Sequence, residues 1–122
     1  MNKMINVALY QPDIPQNTAA IVRLSACMGL KLHIIEPCGF NIRDSRFKRV
    51  VMDYGKLSDI LRYENFDIFK KKNYKSRIIL MTTKATKNYY KFKFKKNDIL
   101  LFGRESAGVP KEVHDTIKKK LK

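Results

Sequence analysis

Residues Ile99 to Phe102 form an unbroken apolar run with no polar residue left to face water. A strand solvated on one face alternates apolar and polar residues. One that does not alternate is covered on both faces, as in a parallel sheet flanked by helices. The run begins at Asp98, stops at Gly103 and continues through Arg104, Glu105 and Gly108 to Pro110, a residue suited to opening a helix. Gly103 carries no side chain to keep a ligand from the backbone. A buried strand ending in a glycine-containing loop is where open α/β sheets place their binding crevice. A plain connection is the other reading of such a loop.

The rest of the chain repeats this alternation of buried strand and helix. Ile5 to Tyr10 reads as a first strand, and Pro12 and Pro15 bound a short loop. Pro15 opens a helix that runs to Met28, with Gly29 just past its end. Ile21, Val22 and Met28 are expected on its apolar face. Leu32 to Glu36 is a second strand; Asp44 can cap a helix that turns Phe47, Val50 and Val51 inward. Leu57 to Tyr63 is ambiguous between a strand and a helical turn, and Phe66 to Lys72 reads as a helix with a basic C-terminal end. Arg77 to Thr82 and Asp98 to Phe102 are further strands, and Pro110 to Lys119 is a polar helix with Val113 and Ile117 on one side. The expected fold is therefore α/β, a mostly parallel sheet with helices on both faces. Its strands share one C-terminal edge, carrying Gln11–Asn17, Pro37–Phe40, Thr82–Ala85 and Gly103–Gly108, and a ligand site is expected there.

Charge narrows the class of partner. The net charge is +15 over 122 residues, and between Lys70 and Lys96 stand eleven Lys or Arg residues and no Asp or Glu. Tyr74, Tyr89, Tyr90, Phe92 and Phe94 are interleaved among them. A cationic stripe with aromatic rings suits a polyanion with exposed bases, above all RNA. A lysine-rich composition without selection for binding is the competing explanation. Cys27 and Cys38 lack metal-ligand or C-x-x-C spacing and read as reduced thiols. His33 falls in a strand and His114 in a charged helix, neither placed for a metal or catalytic role. No run approaches the roughly 18 apolar residues of a membrane helix. The N-terminal run reads as a strand and not a signal peptide, so a cytoplasmic protein is expected.

Two separated segments, Leu9–Leu24 (LYQPDIPQNTAAIVRL) and Leu100–Pro110 (LLFGRESAGVP), flank LHIIEPCGF at Leu32–Phe40 and MTTKAT at Met81–Thr86. In this order and spacing the chain resembles the SPOUT class of RNA methyltransferases, and within it the TrmL family acting on the wobble nucleotide of tRNA. The resemblance covers nearly the whole chain. It implies a trefoil-knotted α/β fold, S-adenosyl-L-methionine (AdoMet) as methyl donor, a homodimer, and 2′-O-ribose methylation of tRNA. Asn17 and Arg23 match the Asn and Arg of the first motif; Phe102, Gly103 and Glu105 match Phe-Gly-x-Glu; Met81 and Thr82 match a strand end lining the donor pocket. Ala19 and Ala20 replace the family's frequent Gly-Asn. A third motif, which in the family completes the donor pocket and knot, follows the point where this chain stops at Lys122. The expectation is therefore a single domain incomplete at its C-terminus and inactive as the 122-residue stretch alone.

The resemblance assigns Arg23 the catalytic role, Met81, Thr82, Gly103 and Glu105 the donor site, and Asn17 the substrate side, and implies no metal; Lys84, with the basic stripe, is a candidate RNA contact. A guanidinium stays protonated, so Arg23 cannot be an ordinary base. It can stabilise developing alkoxide charge on the ribose oxygen or grip the neighbouring phosphate. Water or a phosphate oxygen can take the proton. The alternatives are a non-catalytic RNA-binding protein on the same scaffold and a ribose methyltransferase acting on ribosomal RNA.

Overall fold

The computed structural model describes residues 5–40, 45, 47–49, 59–104 and 107–122. In chain order the elements are β1 (Ile5–Tyr10), α1 (Pro15–Met28), β2 (Lys31–Ile35), β3 (Asp59–Tyr63), α2 (Phe66–Lys72), β4 (Ile78–Met81), a 3-10 turn (Tyr89–Lys91), β5 (Asp98–Phe102), α3 (Lys111–Thr116) and β6 (Lys119–Leu121). The six strands form one sheet in the order β3-β2-β1-β5-β4-β6. Every pairing between these strands is parallel. β1 lies inside the sheet, paired with β2 on one side and β5 on the other.

Successive residues of each strand feed opposite faces. Leu9, Leu32 and Ile34 pack with Ala19 and Val22 of α1 and with Phe47. Ala8, Tyr10, Ile35, Leu80, Ile99 and Leu101 pack on the other face with Phe69 of α2 and Val113 of α3. Helices thus cover both faces, as expected. α1 begins at Pro15 and is closed by Gly29 in the left-handed region (φ 68°), whose N–H donates to the Ala26 carbonyl. Its buried face is Thr18, Ala19, Val22, Ser25 and Ala26. The expected apolar face was wrong at Met28, which is exposed. Small residues bring this helix close to the sheet, and the larger Leu24 and Met28 project outward.

Three other expectations changed or fell outside the description. Of the ambiguous stretch, Asp59–Tyr63 is a strand. The helix from Pro110 ends at Thr116, because Ile117 turns extended and leads into β6. There Leu121 is buried and the strand pairs with the outer edge of β4, satisfying backbone groups that a longer helix would leave open. Asp44, Val50 and Val51 lie outside the described residues; Phe47 is buried as expected.

Within the core, His33 anchors a polar chain. His33 is 1% exposed. Its Nε2 pairs with Asn6 Oδ1 at 3.0 Å and its Nδ1 with the Tyr63 hydroxyl at 2.8 Å, while Asn73 Nδ2 donates to that hydroxyl at 3.3 Å. Asn6 Oδ1 can only accept, so Nε2 carries the proton and Nδ1 accepts from Tyr63. Burial first, and then the charge of Lys31, lowers the imidazole pKa to about 4. His33 is a neutral core residue.

Candidate active site

The C-terminal ends of β1, β2, β4 and β5 share one edge of the sheet. Met81 and Phe102 are register partners on β4 and β5, and Phe102 pairs in turn with Leu9 of β1. All three point to the face covered by α1, because Leu9 packs in that cluster and register partners share a face. α1 covers Leu9, but Phe102 remains 38% exposed beside half-buried Met81. Two adjacent strand ends therefore offer an apolar shelf at the edge. Thr82 follows Met81 directly. Its N–H donates to the Leu121 carbonyl at 2.8 Å, and its hydroxyl accepts the Lys84 N–H at 3.2 Å, so it opens a tight turn that leaves the Lys84 side chain exposed.

Gly103 is required by the packing of its own loop. A Cβ there would lie 2.5 Å from the Gly108 carbonyl carbon. Arg104 and Gly108 exchange backbone hydrogen bonds of 3.0 and 2.8 Å, and Gly108 sits at φ 67°. The loop after β5 folds back on itself, and its own backbone occupies the space above Gly103. Glu105 lies outside the described residues.

The loops after β1 and β2 join this loop at the switch point between β1 and β5. Gln11 holds a positive φ of 42°, a conformation costing a non-glycine residue about 1–3 kcal/mol. Its N–H donates to the Ile35 carbonyl at 2.8 Å. Its side-chain carbonyl accepts from Arg104 Nη2 at 2.5 Å. Gly39 lies so close to Asp13 that an added Cβ would meet the Asp13 Cβ at 2.5 Å. Gln11, Asp13, Pro37, Cys38, Gly39 and Arg104 line a cavity of about 210 Å³. Burial, reinforced by Glu36, pushes the Cys38 thiol up to about 11, so the cavity wall carries a neutral thiol. Arg104 makes no ion pair with a described residue, and its buried Nε has no acceptor among them.

The edge thus brings together Met81, Thr82, Gly103 and Lys84. Arg23 and Asn17 lie on the exposed side of α1, Asn17 in its first turn and Arg23 about 12 Å along the helix from Pro15. α1 and the Met81–Phe102 shelf nevertheless occupy the same face of the sheet. The arginine inside the loop cluster is Arg104, which the sequence reading passed over. Its signal was its place inside the Phe-Gly-x-Glu pattern, directly after Gly103. Among the described residues no group of three or more His, Cys, Asp or Glu is placed to hold a metal.

These residues fit a sulfonium nucleoside in their chemistry: an apolar shelf of Met81 and Phe102 for a flat ring, and the Thr82 hydroxyl beside it.

A parallel sheet with this edge is a scaffold shared by RNA methyltransferases, and the sequence profile of the SpoU rRNA methylase family matches residues 4–122. The chain belongs to that family. A tRNA (cytidine(34)-2′-O)-methyltransferase of Beijerinckia indica is 47% identical over 110 residues, covering 88% of this chain and 69% of the relative. A solved structure concerned with the 2-OH methylation of C/U34 on tRNA is 33% identical, with a TM-score of 0.88 over 98% of this chain and 80% of that one. The SpoU methyltransferase AviRb from Streptomyces viridochromogenes, solved in complex with AdoMet, shares the fold at 15% identity and a TM-score of 0.83, covering 99% of this chain and 49% of its own.

Proposed function

We propose that this protein is an AdoMet-dependent tRNA methyltransferase that modifies the ribose 2′-hydroxyl of the wobble nucleotide. The observation that carries the reading is the 47% identity to a cytidine(34) 2′-O-methyltransferase across 88% of the chain. The edge geometry agrees with it. Met81, Thr82 and Gly103 would hold the donor, and Glu105 follows in the same motif. When bound, AdoMet supplies an electrophilic methyl group on a sulfonium.

The chain's own residues then have three tasks. The shelf and loops align the ribose oxygen with the donor, which is where most of the rate gain in a methyl transfer lies. Arg23 stabilises the charge that develops on that oxygen as its proton leaves for water or a phosphate. Asn17 and Lys84 act on the substrate side. Arg104 adds a second guanidinium at the switch point, free of carboxylate partners among the described residues and able to hold an RNA phosphate.

The enzyme works as a homodimer in the cytoplasm. Support for the dimer is the outer side of α1, where Leu24 and Met28, one turn apart, are 55% and 61% exposed. Among the described residues no helix is long and apolar enough to cross a membrane.

The test, on the full-length natural protein, is transfer of a labelled methyl group from AdoMet to tRNA, followed by nucleoside digestion. Label in a 2′-O-methylated nucleotide at position 34 is expected, and Arg23→Ala should abolish it with the thermal midpoint unchanged. Label appearing only in ribosomal RNA would overturn the substrate. Calorimetry finding no AdoMet binding would overturn the enzymatic reading.

A further inference from the structure

The five aromatic residues of the basic stripe separate into three kinds. Phe92 and Phe94 pack edge to face at 5.0 Å, with the Arg77 guanidinium 4.9 Å and the Lys87 ammonium 5.2 Å from the Phe92 ring. Both are half-buried and belong to the loop's own packing. Tyr74 is 75% exposed, but it precedes β4 and lies toward the N-terminal edge of the sheet. Tyr89 and Tyr90 alone are both exposed, at 55% and 70%, and tied to the edge that carries Met81 and Thr82.

That tie is specific. β6 runs beside β4, and its Leu121 carbonyl accepts the Thr82 N–H at 2.8 Å. The next residue, Lys122, donates its N–H to the Lys87 carbonyl at 2.8 Å and accepts the Tyr89 N–H at 3.2 Å. Thr82 and Tyr89 are therefore moored to consecutive residues, Leu121 at the end of β6 and Lys122 just past it, whose Cα atoms lie about 3.8 Å apart. The 3-10 turn Tyr89–Lys91 fixes the two rings edge to face, with centroids 5.8 Å apart, and Asn88 Nδ2 donates to the Tyr90 hydroxyl at 3.2 Å. The result is a pair of rigid, outward-facing rings beside the donor-site strand end, with exposed Lys84, Lys87, Lys91 and Lys93 in the same loop and no carboxylate.

We infer that Tyr89 and Tyr90 form a stacking platform for unpaired bases flanking the target nucleotide, held at the rim of the candidate active site by the β6 mooring. The inference rests on the tRNA-methyltransferase reading for the identity of the RNA. Its occupant is an unpaired stretch of RNA because two observations coincide. Lysines of one sign around the rings favour a polyanion. Exposed rings favour flat bases, which stack on aromatic faces regardless of sequence. Splayed bases on the platform would leave the intervening ribose exposed to the strand ends next to it.

The experiment compares the purified wild-type protein with Tyr90→Ala, Tyr89→Ala, Tyr90→Phe and Tyr74→Ala. It measures affinity for a fluorescein-labelled anticodon stem-loop and, separately, AdoMet binding and thermal midpoint. Tyr90→Ala should weaken stem-loop binding about tenfold, with Tyr89→Ala close behind. Tyr90→Phe, which keeps the ring, should remain within about twofold of wild type. Tyr74→Ala, which removes an equally exposed ring from the other edge, should change nothing. AdoMet affinity and midpoint should stay at wild-type values throughout. Equal binding by wild type and Tyr90→Ala, or an equal loss in Tyr74→Ala, overturns the platform while leaving wild-type methylation intact. Wild-type protein that binds the stem-loop through Tyr90 but transfers no methyl group overturns the function and keeps the platform. Wild-type protein that binds no RNA overturns both.

Discussion

The two ends of β5 each present an arginine, and the two are treated in opposite ways. At its start, Asp98 is 1% exposed and fully engaged. Arg77 donates to it through Nε at 2.9 Å and Nη2 at 2.5 Å, and the Lys95 N–H adds a third bond at 2.7 Å. Arg77 also donates to the Lys93 carbonyl at 3.2 Å, which pins the basic loop. Past the other end, Arg104 donates to a neutral amide, has a buried Nε with no acceptor among the described residues, and lines a cavity. A folding clamp meets its charge with a buried carboxylate. A residue reserved for a ligand keeps a donor open. The N-terminal edge of this sheet is built for stability and the C-terminal edge for binding.

Removing the clamp should have the largest effect. Asp98→Ala leaves the Arg77 and Lys95 donors to find water and should cost about 3 kcal/mol, lowering the thermal midpoint by roughly 10 °C. Methyl transfer per folded molecule should stay the same. A change under about 1 kcal/mol would show that the two ends are not different in kind.

Acid is the next lever, and it separates two buried groups by pH. The folded pKa of His33 is about 4, below its ordinary 6.5, so the unfolded chain binds more protons between those values. Its contribution is complete above about pH 6.5 and declines as pH falls toward 4, a loss of roughly 2–3 kcal/mol. Burial raises the Asp98 carboxyl, but the Arg77 hydrogen bond, the Lys95 N–H and both charges outweigh it and hold the group below its ordinary value. Its contribution therefore holds above the ordinary carboxylate pKa and is lost only under stronger acid. Urea midpoints from pH 7 to pH 3 should fall in two stages, and Asp98→Ala should remove the second alone.

Gly103→Ala carries the comparison to the binding edge. Its methyl group meets the Gly108 backbone, so the loop must open, at a cost of about 2 kcal/mol. AdoMet affinity, followed by calorimetry, should fall at least tenfold. If affinity holds while stability drops, this loop does not shape the donor site. Arg104→Ala is the mildest and sharpest case. Methyl-transfer kcat/KM should fall about tenfold, near 1.4 kcal/mol, with the midpoint within about 2 °C of wild type. A midpoint loss as large as that of Asp98→Ala would make Arg104 a second clamp and end the contrast.

These details were unevenly legible beforehand. The ends of α1 could be read because Pro15 and Gly29 act locally, through a fixed φ and a left-handed cap. β5 could be read because its apolar run admits only a doubly covered strand. β6 could not, since Lys119 and Lys120 carry no strand pattern and extend only because β4 offers an unpaired edge. The candidate donor residues Met81, Thr82 and Gly103 were identified by their motif, and the register of β4 with β5 brings them together. Arg104 escaped notice because its partner Gln11 lies 93 positions earlier, and no local pattern signals a cavity assembled from three loops. The contact of Gly103 with Gly108 was hidden for the same reason: the atoms that exclude a side chain there belong to a turn formed only once the loop closes.

The interior position of β1 has a consequence for the order of events during synthesis. Asn6 pairs with Lys31 of β2, 25 positions on, whereas Ile5 must wait for Asp98 of β5, 93 positions on. The longer closure costs only about 1 kcal/mol more in chain entropy, so equilibrium is little affected. On a ribosome the delay is a matter of time. Until β5 emerges, a half-built unit of β1, β2 and β3 exposes the flank of β1 as a raw apolar edge, open to pairing with another nascent chain. Slower translation between β3 and β5 would lengthen that interval, and loss of soluble protein would be its visible sign.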